Sequence, residues 1–290
     1  MEGVATSVQM EHPRAALSID VEFFSYLPAY RNVSDTTDQT AVGSEGVDFL
    51  IDVFNEFNIN GTFFIVTEIV DTHTELIKKL AKHHEIGSHT HTHHHLSELT
   101  QAERRRELEV SKRRLESIRG TNVNGFRAPS FDFAEDHFDL LGDTGYRYDS
   151  SVNPCRSIPG WYGGVYETKR PVPARDINMT APARLAEIPV AVMPGLGLPL
   201  TGTWIRFFGV YYTLLGMKLL ARRGIVPVLY IHPWELVDLP AVEGIPDRVY
   251  WRTGDYMRRA VRHILNTDFE FISVGQLAEE IMIESGDAPD

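Results

Sequence analysis

The feature that most constrains this chain is a repeated alternation of short apolar runs with amphipathic segments. "AALSIDV" (Ala15–Val21) has the composition of a buried strand. "GVDFLIDVFNEFN" follows as a helix with Val47, Leu50, Ile51, Phe54 and Phe57 on one face. "GTFFIVTEIV" is again a strand, "THTELIKKLAKHH" a helix and "EIGSH" a short strand. Thr100-x-x-Glu103 is a capping-box start, and that helix runs to Gly120, a C-terminal stop. "VNGFRAPSF" and "YRYDSSVNP" are strand-then-loop units, and "ARLAEIPVAVMP" and "IVPVLYIHPW" are later strands. "RTGDYMRRAVRHIL", "FEFISV" and "GQLAEEIMIE" close the chain as helix, strand and helix. Serial β-then-α units predict an α/β fold with a largely parallel sheet, most simply a barrel. Residues 156–182, rich in Pro, Gly and Arg, read as an irregular insertion over one face. No internal repeat and no linker appears, so the expectation is one domain over 1–290 with its core at about 15–281.

Such a fold needs no covalent staples. With 290 residues, 43% of them hydrophobic, the chain can bury a full core, and its single cysteine, Cys155, excludes an internal disulfide framework. The formal charge of −12 argues against nonspecific nucleic-acid binding, which depends on phosphate attraction. Six lysines against 22 arginines hint at a salt-adapted host. The N-terminus lacks a basic start and a long apolar run, so no signal peptide is read and the expected location is the cytoplasm. No stretch reaches the ~18 uncharged apolar residues of a membrane span. The nearest, from Trp204, is cut by Arg206 and Lys218. The oligomeric state is not legible.

The chemically useful side chains all follow apolar strands. Asp20 and Glu22 stand in i, i+2 register and share a face. Two bare ionised carboxylates so close would repel, and a cation beside them removes the problem. A lone pair of this kind is more often a loop cap. Five of the twelve histidines lie in "HTHTHHH", with His89 and His93 four apart and His91 and His95 at the same spacing. Two imidazoles and a carboxylate make a divalent-metal site with an open position. A solvated His-rich loop is the plain alternative. Arg127 in "GFRAPSF" can hold a carboxylate ionised by charge-assisted hydrogen bonds. His232 in "LYIHPWEL" stands after a strand, where it is a general acid or a structural histidine with equal weight.

Together "SIDVE", "EIGSHTHTH", "GFRAPSF", "YDSS" and "HPWE" resemble, in that order, the motifs of the polysaccharide deacetylase family. This is the NodB-homology fold of carbohydrate esterase family 4, and the resemblance is closest to its exopolysaccharide-biosynthesis branch. It extends from about Ala15 to Ile281. It implies a distorted (β/α)7-type barrel holding one divalent ion, zinc first, with Co2+, Mn2+ or Ni2+ as alternatives. It implies Asp20 as catalytic base, with Glu22, His89 and His93 as ligands. Glu22 departs from the family's more usual aspartate, and the longer arm could shift the ion or change which ion binds. His91, His94 and His95 become bystanders. The resemblance implies that Arg127 orients the base while Pro129 shapes the loop. It implies Asp149 as a partner of His232, His232 as general acid and Trp234 as the aromatic wall of the acyl pocket. The implied partner is an N-acetylated glycan or glycan precursor.

Three rivals remain. Allantoinase-like and cyclic-imidase-like relatives cleave small C–N bonds on the same scaffold. A lipid-linked sugar would bring the chain to the inner membrane face, with peripheral contact through Trp204–Leu220. A barrel helix packing its apolar side inward explains that segment as simply. A non-catalytic carbohydrate- or metal-binding protein is the third.

Overall fold

The computed structural model describes residues 12–33, 41–157 and 166–286. Among the described residues nine strands form one sheet: β1 (Arg14–Val21), β2 (Thr62–Ile65), β3 (Glu85–Ser88), β4 (Gly125–Phe126), β5 (Tyr148–Asp149), β6 (Val172–Pro173), β7 (Ala186–Glu187), β8 (Val228–Ile231) and β9 (Glu270–Ile272). The order is β6-β7-β5-β4-β3-β2-β1-β8, with β9 added against the start of β1. Every pairing is parallel except β6 with β7. The sheet curls, and chain following β7 reaches its far edge at β8. The Ala191 N–H donates to the Val228 carbonyl at 2.8 Å, and Thr201 bridges Tyr230. This is the distorted barrel, closed by irregular chain between β7 and β8.

Parallel pairing needs helical crossovers. Helices on these connections are α1 (Pro28–Arg31), α2 (Ser44–Glu56), α3 (Thr74–His83), α4 (Gln101–Arg119), α5 (His137–Asp143), α6 (Gly202–Phe208), α7 (Val210–Ala221) and α8 (Asp255–Leu265), and α9 (Val274–Glu284) follows the last strand. α2 buries Val47, Leu50, Ile51 and Phe54 of the stripe its spacing predicts, while the fifth member, Phe57, caps the helix C-terminus and is half-buried. α4 has the predicted capping box at Thr100 and Glu103 and ends on Gly120 in the left-handed region, φ 74°. α7 packs Thr213, Gly216, Met217 and Leu220 inward and leaves Tyr211 and Leu215 exposed. No helix among the described residues is long and apolar enough to cross a membrane.

Two sequence expectations are corrected. The strand read over "GTFFIVTEIV" stops at Ile65, and Thr67–Val70 is a 3-10 turn. There the Thr67 and Glu68 N–H groups turn aside to the Thr90 and His91 carbonyls, tying the end of β2 to the histidine loop. The insertion read as irregular contains β6, which adds an antiparallel edge to the sheet. Residues 158–165 of that stretch lie outside the described residues.

One core residue is expected to couple the fold's stability to pH. His84 packs between the rings of Phe54 and Phe63, 5.6 and 5.1 Å away, and neither ring nitrogen has a hydrogen-bond partner. Burial, helped by the charge of His83, pushes it down to about 4. The unfolded chain takes up a proton near pH 6.5 and the folded chain does not. The stability this confers is whole above pH 6.5 and is lost as pH falls toward 4. His84→Leu is expected to remove roughly 2 kcal/mol of the stability lost between pH 7.5 and 5. Urea unfolding at both values checks this, and equal pH slopes for the variant and the parent chain would defeat it.

Candidate active site

The register of the parallel strands builds the site. Ser88 pairs with Phe126, Phe126 with Asp149, and Asp20 with Phe64. Residues just past the strand ends therefore share one rim: Glu22 after β1, His89 after β3, Arg127 after β4, Ser150 after β5 and His232 after β8. The rim surrounds a cavity of about 430 Å3 lined by Asp20, Glu22, His89, His93, His95 and His232 among others. A larger groove of about 820 Å3 beside α7 and α8 has one carboxylate, Asp268, and one imidazole, His263.

Along β1, Ser18 and Asp20 share one face, and Glu22 follows one residue past the strand, where its N–H donates to the Asp20 carbonyl at 2.9 Å. Arg127, fully buried, reads that face. Its Nη1 donates to Asp20 Oδ1 at 2.6 Å and to Ser18 Oγ at 2.8 Å. Its other edge donates to the Ser150 carbonyl and Oγ, at 3.0 and 2.8 Å. The guanidinium is thus fixed from both sides, and Asp20 is fixed by it.

Glu22, His89 and His93 are buried, with donor atoms within 4.8 Å of one another. They are the one such three-donor cluster among the described residues. His89 Nδ1 donates to the Arg127 carbonyl at 2.8 Å, which leaves Nε2 as the ligating atom. His93 Nε2 lies against Glu22 Oε2 yet has no hydrogen-bond partner, so contact without bond geometry leaves a buried lone pair orphaned. An orphaned imidazole beside a carboxylate and a second oriented imidazole fits a divalent ion. Burial pushes His89 down to about 4 against the pull of Asp20 and Glu22, which favours the neutral, ligating form. Burial alone would raise Glu22, but His93, His232 and His89 outweigh it and hold it well below the usual carboxylate range.

The loop geometry is strained here. Thr90, His93, Ser130 and Phe131 have φ of 66°, 60°, 54° and 58°, four of the six non-glycine residues at positive φ among those described. Such strain concentrates where surrounding contacts over-determine the chain. His93 is pinned through its N–H to Thr90 Oγ1 at 3.1 Å, and its carbonyl accepts from Arg31 at 3.0 Å.

Across the cavity, His232 Nε2 stands 3.5 Å from Glu22 Oε1. Its ring stacks on Trp234, centroids 5.2 Å apart, and Trp234 Nε1 donates to Glu22 Oε1 at 3.3 Å. Burial would lower His232, but Glu22 and Glu235 outweigh it and raise it to about 9.

The structure separates the residues the sequence grouped. Asp149 does not meet His232. Its oxygens bond His137 Nε2 at 2.8 Å and Ser151 Oγ at 2.5 Å, below the rim. Burial and Asp149 together push the neighbouring Glu187 carboxyl well above its ordinary range. The carboxylate at His232 Nδ1 is Glu235, 3.2 Å away. Pro129 starts the 3-10 turn Pro129–Phe131, while Ser130 and Phe131 line the cavity. His91 meets Thr67 Oγ1 at 3.1 Å, His94 meets Thr92 Oγ1 at 2.6 Å, and His95 meets Ser130 Oγ at 3.2 Å on the cavity wall. Sequence reasoning missed Arg206, taken only as a break in an apolar run. A charge inside "WIRFFGV" was itself the signal that a buried partner existed.

Residues 31–148 match the polysaccharide deacetylase family model. That segment carries His89, His93 and Arg127. That match covers 118 of the chain's 290 residues. Residues 150–279, with His232 and Glu235, match a domain of unknown function, DUF3473. Asp20 and Glu22 precede both matches. A peptidoglycan deacetylase from Helicobacter pylori is 25% identical over 111 residues, 38% of this chain and 38% of that protein. The match thus spans well under half of that relative. A Mycobacterium smegmatis protein described as a polysaccharide deacetylase has the same fold, with TM-score 0.63 and 21% identity over 95% of this chain and 96% of that one. So does PuuE allantoinase, with TM-score 0.65 and 15% identity over 100% and 99%. At these identities the likeness establishes the fold alone.

Proposed function

We propose that this chain is a metal-dependent hydrolase that removes N-acetyl groups from amino sugars of a polysaccharide, oligosaccharide or lipid-linked glycan precursor. The observation that carries the reading is Asp20, fixed by Arg127, beside the Glu22, His89 and His93 donor cluster in one cavity. A divalent ion in that cluster, zinc by the preference for imidazole and carboxylate, supplies Lewis acidity toward the amide carbonyl and acidifies water.

The chain's own groups do the rest. Asp20 takes the proton of the attacking water as its oxygen bonds the acetyl carbon. Arg127 keeps the carboxylate aimed. His232 Nε2, presented to the cavity, gives a proton to the sugar nitrogen as the C–N bond breaks. Acetate and a free amine leave. Both matched segments form one catalytic domain in this reading, because Tyr148 of β5, in the first, pairs with Ala186 of β7, in the second, within one sheet. The proposed location is the cytoplasm, including the inner membrane face.

A ureide hydrolase is the second reading, favoured by the fold shared with the allantoinase. An acetate-release screen of zinc-loaded protein separates the two. Its substrates are N-acetylated oligosaccharides, sugar nucleotides, lipid-linked sugars and allantoin. Acetate from a glycan arm is expected. Turnover of allantoin alone would overturn the deacetylase reading.

A further inference from the structure

We propose that Glu235 and Arg206 are positioning residues for His232, and that the cavity rim is tied to the same arginine. This rests on the hydrolase reading of the site. Glu235 is fully buried, and its Oε2 accepts from the His232 backbone N–H at 3.0 Å and from ring Nδ1 at 3.2 Å. Its Oε1 accepts from Arg206 Nε at 2.9 Å. Arg206 Nη1 then donates to the Val249 and Trp251 carbonyls, at 2.8 and 3.2 Å. Val249 and Arg248 line the cavity.

The chain of contacts has a mechanical meaning. A carboxylate at Nδ1 fixes which nitrogen carries that proton and leaves Nε2 aimed at the reacting bond. Trp234 completes the clamp. It stacks on the histidine, and the Arg206 guanidinium lies 5.2 Å from its ring centre. A buried ion pair is weak support for stability. Orienting the acid and the rim together gives this pair a function. Asp149 cannot serve, being bound to His137 and Ser151.

Gly202, the first residue of α6, gives a test that removes no charge. A Cβ there would stand 1.8 Å from Glu235 Oε2 and 2.6 Å from Cδ, so the carboxylate must move. In Gly202→Ala, kcat on an N-acetylglucosamine tetramer is expected to fall about a hundredfold, with KM and zinc affinity within about twofold. Arg206→Met should raise KM as well, because the rim loses its anchor. Glu235→Gln, which keeps the volume, should lose about tenfold in kcat. In metal-free, 15N-histidine-labelled protein, the His232 Nδ1–H is expected as a slowly exchanging resonance, identified by its loss in His232→Gln. Gly202→Ala should abolish it. A retained resonance with parental kcat in Gly202→Ala and Glu235→Gln overturns the proposal. If the parent chain releases no acetate from any glycan, the hydrolase reading fails, and the resonance alone decides the positioning role.

Discussion

Asp20→Asn is expected to lower acetate release about a thousandfold or more while the protein still folds and still binds zinc. General-base catalysis contributes about 10²–10⁴-fold. The amide cannot take the water's proton. Folding should survive for a stated reason. Truncating one partner of a buried ion pair commonly costs about 3–5 kcal/mol, because the other charge is stranded. Here Arg127 keeps its bonds to Ser18 Oγ, the Ser150 carbonyl and Ser150 Oγ, and asparagine retains an acceptor at the Asp20 position. Zinc binding should survive because the donor cluster is Glu22, His89 and His93. Turnover and zinc affinity measured on one preparation decide it. Parental turnover in Asp20→Asn would remove Asp20 from the base role.

The same geometry explains what could be foreseen. β1 is legible because Ala15–Val21 is a short apolar run, a local property of the chain. The α4 caps are legible for the same reason, since Thr100, Glu103 and Gly120 act within one or two turns of themselves. The partner of His232 was not legible in this way. Asp149 and Glu235 are both carboxylates near strand ends. Which of them meets the histidine depends on where β5 and β8 fall around the barrel. Glu235 is three residues away, on a turn started by Pro233, so local reasoning could have favoured it. Arg206 required tertiary information, because nothing near it in sequence shows that α6 crosses over the His232 turn. The short β2 also required it. The hydrogen bonds that end the strand come from Thr90 and His91, more than twenty residues on.

The histidine tract is where position within a loop matters more than composition. His93→Ala and His89→Ala are each expected to cut zinc affinity well beyond the roughly 10–100-fold lost when an outer partner of a ligand is removed. His91→Ala and His94→Ala should stay within about twofold. The contrast follows from where the lone pairs point. His89 Nδ1 is committed to the Arg127 carbonyl, and His93 Nε2 is buried against Glu22 Oε2 without hydrogen-bond geometry. His91 and His94 instead meet threonine hydroxyls, Thr67 and Thr92. The left-handed backbone at His93 accompanies the inward turn of two histidines four apart on an irregular loop, and it is held by Thr90 and Arg31. Competition against a chromophoric chelator measures all four variants. A loss in His91→Ala or His94→Ala equal to that in His93→Ala would mean the ion sits elsewhere in the tract. It would also leave the orphaned Nε2 of His93 beside Glu22 without an explanation.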